Sequence, residues 1–154
     1  MANNVFLALY KGHKTGKSPK ALMMRLSDWL TRKLTKGQYS HCEIAVLRDD
    51  GQYCCRSSSI RDGGVRQKVM PLDMEKWDLI PLAMNEERVL QIVQFYYRQQ
   101  GKKYDWWGAL GVVLKCRQNP EKYFCSEFCA QALGLNEPWR FSPNDLAAII
   151  PSIQ

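Results

Sequence analysis

A chain of 154 residues, 45% hydrophobic and 11% aromatic, is long enough to bury a core of its own and is expected to fold as one domain spanning 1–154. No apolar run approaches the ~18 residues that a membrane-spanning helix requires, so no transmembrane segment is expected. The net charge of +7 sits at one end: residues 1 to 40 hold eight Lys/Arg against Asp28 alone, whereas residues 37 to 154 hold 14 basic and 14 acidic residues.

The first apolar run, Val5 to Tyr10, has no basic leader before it and no small-residue cleavage site after it, and reads as a strand rather than an export signal. On that reading the protein is cytoplasmic. Lys11-Gly12-His13-Lys14-Thr15-Gly16-Lys17 is a basic loop, and Ser18-Pro19 supplies an N-cap and a first-turn proline. Leu22, Leu26, Trp29, Leu30 and Leu34 then share one helical stripe ending at Gly37. Packing on a sheet is the common fate of such a stripe, and adsorption to a membrane is the other. The basic residues between 11 and 36 could attract an anionic surface or polymer. A solvated face is the plainer reading, because no nucleic-acid motif accompanies the charge.

His41 to Leu47 and Gln52 to Ser59 read as a hairpin around Arg48-Asp49-Asp50-Gly51. Val65 to Met70 and Trp77 to Leu82 bring the total to four or five strands, mostly antiparallel. Asn85 should cap a helix that stops at Gly101, Asp105 a short one through Leu114, Cys125 should open one that closes at Gly134, and Ser142-Pro143 should start a last one ending before Pro151. Strands early and helices late argue for an α+β fold, a small antiparallel sheet packed against helices. No repeat, low-complexity tract or linker interrupts it.

Six cysteines (Cys42, Cys54, Cys55, Cys116, Cys125, Cys129) are an even number, but a chain without an export signal is expected to keep them reduced. Zinc is the other alternative, and the spacing disfavours it. Only Cys125 and Cys129 share a helical face, adjacent strand cysteines point to opposite faces, and no CxxC occurs. No metal or other cofactor is expected.

The chemistry centres on Cys125. A thiol at a helix N-terminus is favoured as thiolate by the free amides and the helix dipole. A nucleophile also needs a base, and the only histidines are His13, in a mobile-looking loop, and His41, at the start of a strand. Glu43, at i+2, shares a strand face with His41 and could hold its tautomer. Ser57, Ser58 and Ser59 on the returning strand are rivals for that role. Each of these residues also has a structural reading: a cysteine in an apolar helix as a small core residue, Cys129 above all, and Glu127 as a first-turn carboxylate.

Gly101-Lys102-Lys103-Tyr104-Asp105-Trp106-Trp107-Gly108 followed by Phe124-Cys125-Ser126 resembles the signature of NlpC-type papain-like cysteine hydrolases, a phage and bacterial group. No histidine follows Cys125, so the chain resembles the circularly permuted branch, YiiX/YebB-like and related to the lecithin:retinol acyltransferase group, in which the histidine strand comes first. Tyr39 to Glu43, Ser57 to Arg66 and Phe141 to Leu146 look like further segments of that branch. The resemblance implies a permuted papain-like fold, with Cys125 as nucleophile, His41 as base, Glu43 as third member and Tyr104 beside the cysteine, holding substrate or oxyanion. Where the family usually has Gly after Cys-Ser, this chain has Glu127.

The implied function is a thiol hydrolase that cleaves an amide or ester through a cysteine thioester. Its substrate would be a cell-wall peptide by the first relation or a lipid acyl group by the second. The alternative is a non-catalytic peptide- or lipid-binding module, or a basic membrane or nucleic-acid adaptor.

Overall fold

The computed structural model describes residues 4–106, Asn119 and residues 121–153. It is a mixed α+β fold around one seven-stranded sheet. The strands are β1 (Val5–Tyr10), β2 (His41–Leu47), β3 (Tyr53–Ser59), β4 (Gly64–Met70), β5 (Trp77–Pro81), β6 (Lys103–Tyr104) and β7 (Lys122–Tyr123). Their order is β5-β1-β2-β3-β4-β6-β7, antiparallel throughout except for the β6–β7 pair. The two short strands go beyond the four or five expected. Two residues carry no periodicity to read: β6 forms on the edge that β4 offers, and β7 on the edge that β6 then offers.

Among the described residues the α-helices are α1 (Pro19–Leu34), α2 (Glu86–Gln99), α3 (Cys125–Ala132) and α4 (Pro143–Ile149). All four begin where their sequences predict, three of them under a side-chain cap. Ser18 accepts from the Ala21 amide at 3.2 Å and Asn85 from the Arg88 amide at 2.8 Å. Ser142 and Asp145 close a reciprocal capping box, with bonds of 3.1 and 2.8 Å. The short helix expected between Asp105 and Leu114 lies largely outside the described residues, as does Cys116.

One face of the sheet carries the main core. Leu7 and Leu9 of β1 and Ile44 of β2 meet Ile92 of α2, Phe128 of α3 and Leu146 of α4. Leu7, Leu9, Ile44, Phe128 and Leu146 are fully buried, each stabilising the fold by roughly 1.5–3 kcal/mol. The alternate residues Ala8, Ala45 and Cys55 form a smaller cluster with Leu72 on the other face. This is the period-2 alternation of strands covered on both sides.

The helix α1 departs from the expectation that its apolar stripe packs on the sheet. It joins neither core cluster, and its one buried residue is Asp28. Among the described residues, what ties it down is polar. Lys14 pairs with Asp28 at 3.0 Å, Arg32 bonds the Gly12 carbonyl and Ser40 Oγ, and Asn144 Nδ2 donates to Thr35 Oγ1 at 2.6 Å. The main-core face is already covered by α2, α3 and α4, which leaves the stripe no core to enter.

Candidate active site

Cys125 is the first residue of α3, and the N-cap position before it, Phe124, offers no side-chain cap. The first-turn amides therefore face the sulfur and whatever it attacks rather than a capping oxygen. The thiol is 5% exposed and opens on a cavity. His41, at the start of β2, lies close enough to Cys125 for each to shift the other's protonation, and carries its partner on the same strand, with Nε2 3.0 Å from Glu43 Oε1. With Nε2 so engaged, Nδ1 is the nitrogen left for the sulfur. The imidazole keeps 17% of its side-chain surface, and Trp77 meets it edge to face at 6.2 Å.

Glu43 is 1% exposed and would be costly as an anion without compensation. Arg66 supplies it through a bidentate pair, Nη1 to Oε2 at 2.6 Å and Nη2 to Oε1 at 2.8 Å, and Arg66 Nε is held by Asp62 at 2.8 Å. The ladder explains the reach. The registers Ile44↔Arg56 and Ser57↔Arg66 leave Ser57 between Glu43 and Arg66, and a residue that small lets the guanidinium lie over it. The outcome is a row His41–Glu43–Arg66–Asp62 of alternating charge ending at the cysteine.

The charge states follow from that row. Burial would raise the Glu43 carboxyl, but the Arg66 hydrogen bonds, and then those of His41, bring it down to about 2. Burial also opposes a charged His41, yet the Cys125 thiolate and then Glu43 outweigh it and push the imidazole up to about 9. The Cys125 thiol is held well below its ordinary value, first by a hydrogen bond from Cys42 and then by the His41 charge, against the cost of burial. The favoured state at neutral pH is thus thiolate beside imidazolium.

All four residues expected at the site converge there. Tyr104 is buried, lines the cavity with Cys125, and is raised by burial and by the thiolate's charge. The rival serines are engaged elsewhere. Ser57 donates to the Cys42 carbonyl at 2.7 Å, Ser58 to the Tyr123 carbonyl at 2.6 Å, and Ser59 lies beside the Asp62 carboxylate. His13 is exposed, 3.0 Å from Arg32. Cys129 is fully buried in the core. Among the described residues no group of three or more His, Cys, Asp or Glu is placed to hold a metal ion.

Three residues escape the sequence reading. Arg66 reaches Glu43 only through strand register. Cys42 lies in the same cluster as Cys125, on the strand face opposite to His41, so two neighbours in sequence approach the sulfur from different sides. Glu127 is not a solvated first-turn carboxylate but is 0% exposed. Neither of its oxygens finds a hydrogen-bond partner among the described residues, and burial pushes it up to about 8 although the Phe124 amide lies close, off hydrogen-bond geometry.

Two unlike spaces flank Cys125 and His41. On the Cys125 side is an apolar cavity of about 200 Å³, walled by Met23, Leu26, Leu30 and Leu34 of α1 and by Trp106 and Phe124. On the His41 side is a polar basin with Lys14, Arg61, Lys68 and Lys76 on its walls beside Asp28 and Asp62. Ser40 and Tyr104 belong to both. No family model and no curated protein matches the chain.

Proposed function

We propose that this chain is a thiol acyl hydrolase with the permuted papain-like architecture that its motif order resembles, cleaving an ester or amide of an acyl group. The observation that carries the reading is the Cys125–His41–Glu43 row, with its sulfur at an uncapped helix start.

Cys125 Sγ attacks the acyl carbonyl carbon, and the C=O pair moves to oxygen, where the Cys125 amide, with Tyr104 nearby, meets the negative charge. The intermediate collapses as its bond to the leaving oxygen or nitrogen breaks, and the His41 imidazolium donates its proton to that atom. Water then gives a proton to His41 and its oxygen to the thioester carbon. The acid departs and the thiolate is restored. Glu43 fixes the ring and stabilises its charge, and Arg66 keeps Glu43 ionised. The apolar cavity beside the sulfur suits a hydrocarbon acyl chain better than a cell-wall peptide, and the polar basin, with Arg61 and Lys68 on its wall, suits a polar leaving group.

Alkylation with iodoacetamide tests the reading. The five cysteines that are described are all buried, so selective modification near pH 6 requires an activated thiol with access. Peptide mapping should place the label on Cys125, and His41→Ala should slow it at least tenfold. Labelling that is no faster at Cys125 than at Cys54 or Cys55 would remove the basis of the proposal. An acyl adduct on Cys125, trapped after incubation with long-chain thioesters or esters and weighed by mass spectrometry, would identify the substrate.

A further inference from the structure

We propose that α1 is a docking surface for an anionic phospholipid bilayer, lying in the interface with its apolar arc in the acyl region. The helix is turned inside out relative to an ordinary surface helix. Its inward side is polar, where Asp28, Arg32 and Thr35 make the bonds that hold it to the body. Its outward side is apolar, with Leu22 51%, Met23 52%, Leu26 55%, Trp29 54% and Leu34 41% exposed. A helix that keeps its polar groups for the protein and offers leucine and tryptophan to its surroundings is matched to a medium less polar than water.

The charge around that arc selects the occupant. Lys17, Lys20, Arg25, Lys33 and Lys36 are exposed on or beside the helix, and Lys33 arches over the Trp29 ring at 4.7 Å. The one acidic residue of the segment, Asp28, is buried and paired with Lys14. A cationic collar around an apolar stripe lets the lysine stems follow the hydrocarbon while their ammonium groups meet lipid phosphates. A nucleic acid would satisfy the collar but leave the arc in water. A second copy of the chain would bring a like-charged collar against this one. An anionic leaflet satisfies both features.

The placement also has a use. Met23, Leu26 and Leu34 belong both to the exposed arc and to the wall of the cavity that ends at Cys125. A bilayer against α1 would therefore adjoin the mouth of that cavity, and a lipid chain could enter it without crossing water. That last step rests on the acyl hydrolase reading. The docking surface does not.

Co-sedimentation of the full chain with sucrose-loaded vesicles tests the surface. Binding is expected to vesicles of phosphatidylglycerol and phosphatidylcholine in equal parts, and to be weaker by at least tenfold on phosphatidylcholine alone. It should also fall steeply between about 50 and 500 mM NaCl. Lys20→Glu and Lys33→Glu should each weaken it roughly fivefold or more. Leu26→Ser and Trp29→Ser should each weaken it roughly tenfold, and because both side chains are exposed these variants should keep the parent's far-UV circular dichroism and thermal midpoint. Cys125→Ala should bind as the parent does, so a failure of the hydrolase reading leaves this result untouched. Three outcomes would overturn the proposal: no binding to the anionic vesicles, equal binding to both compositions, or unchanged binding by the Leu26 and Trp29 variants. Concentration-dependent dimerisation abolished by the same two substitutions, without vesicle binding, would assign the face to a second copy and overturn it as well.

Discussion

Glu43→Gln preserves the volume of the side chain and removes the charge that His41 and Arg66 share. The carboxyl titrates at about 2 in the folded protein against 4.5 for the ordinary group. At about 1.36 kcal/mol per pH unit, that gap makes the ionised form worth about 3 kcal/mol to the fold. Because the folded value is the lower one, this stabilisation is complete above about pH 5 and drains away as the pH falls towards 2. The variant also leaves the Arg66 guanidinium with Asp62 as its remaining ion-pair partner among the described residues, the situation in which a broken buried pair costs about 3–5 kcal/mol. Urea unfolding near pH 7 should therefore show a loss of about 3 kcal/mol, shrinking to about half of that near pH 3. On the functional side, His41 loses one of the two groups that push it up to about 9, so the alkaline fall in acylation rate should move to lower pH. A variant as stable as the parent near pH 7, or equally destabilised at both pH values with its alkaline limb unmoved, would refute the assignment of Glu43 as a buried anion serving His41.

Glu127→Gln should do the opposite. The native carboxyl stays protonated up to about 8, so the parent loses stability as the pH rises from about 4.5 towards 8, through the Glu127 ionisation that burial and the Asp105 charge oppose. Near pH 8 the variant should be the more stable protein by on the order of 3 kcal/mol, and parallel pH–stability curves would contradict a buried neutral acid. Cys42→Ala removes the first of the groups that lower Cys125. The pH at which iodoacetamide reactivity develops should rise, with a cavity cost of roughly 1 kcal/mol, and an unshifted profile would show that the Cys42 thiol does not donate to the sulfur.

The sequence made the local elements legible. Ser18-Pro19 opens α1, Asn85 opens α2 and Ser142-Pro143 opens α4, because a cap acts over three or four residues and needs no knowledge of the rest of the chain. The pair His41–Glu43 could be read for the same reason, since i and i+2 on a strand share a face whatever the sheet order. Arg66 could not. Its approach to Glu43 depends on the β2–β3 and β3–β4 registers taken together, and no local spacing encodes them. The orientation of α1 was hidden too. Periodicity finds an apolar stripe but not the direction it faces, and here three other helices had already filled the core side. Glu127 looked like a helix-start carboxylate because its first-turn position is right. Its burial is set by distant parts of the chain.

Asn144 gives the loop before His41 a fixed length. Its carboxamide oxygen accepts from the Tyr39 amide at 3.0 Å, and its nitrogen donates to the Tyr39 carbonyl at 2.9 Å and to Thr35 Oγ1. Between those two anchoring residues the chain turns through Lys36 at φ 51° and Gly37, where an added Cβ would sit 2.1 Å from Asn144 Oδ1. One amide side chain therefore gauges the span from Thr35 to Tyr39. A single inserted residue would forfeit all three bonds, and any side chain at position 37 would evict the gauge itself. Divergent copies of this protein can drift freely at the Arg48–Gly51 hairpin, but this stretch should keep its residue count wherever His41 keeps its post.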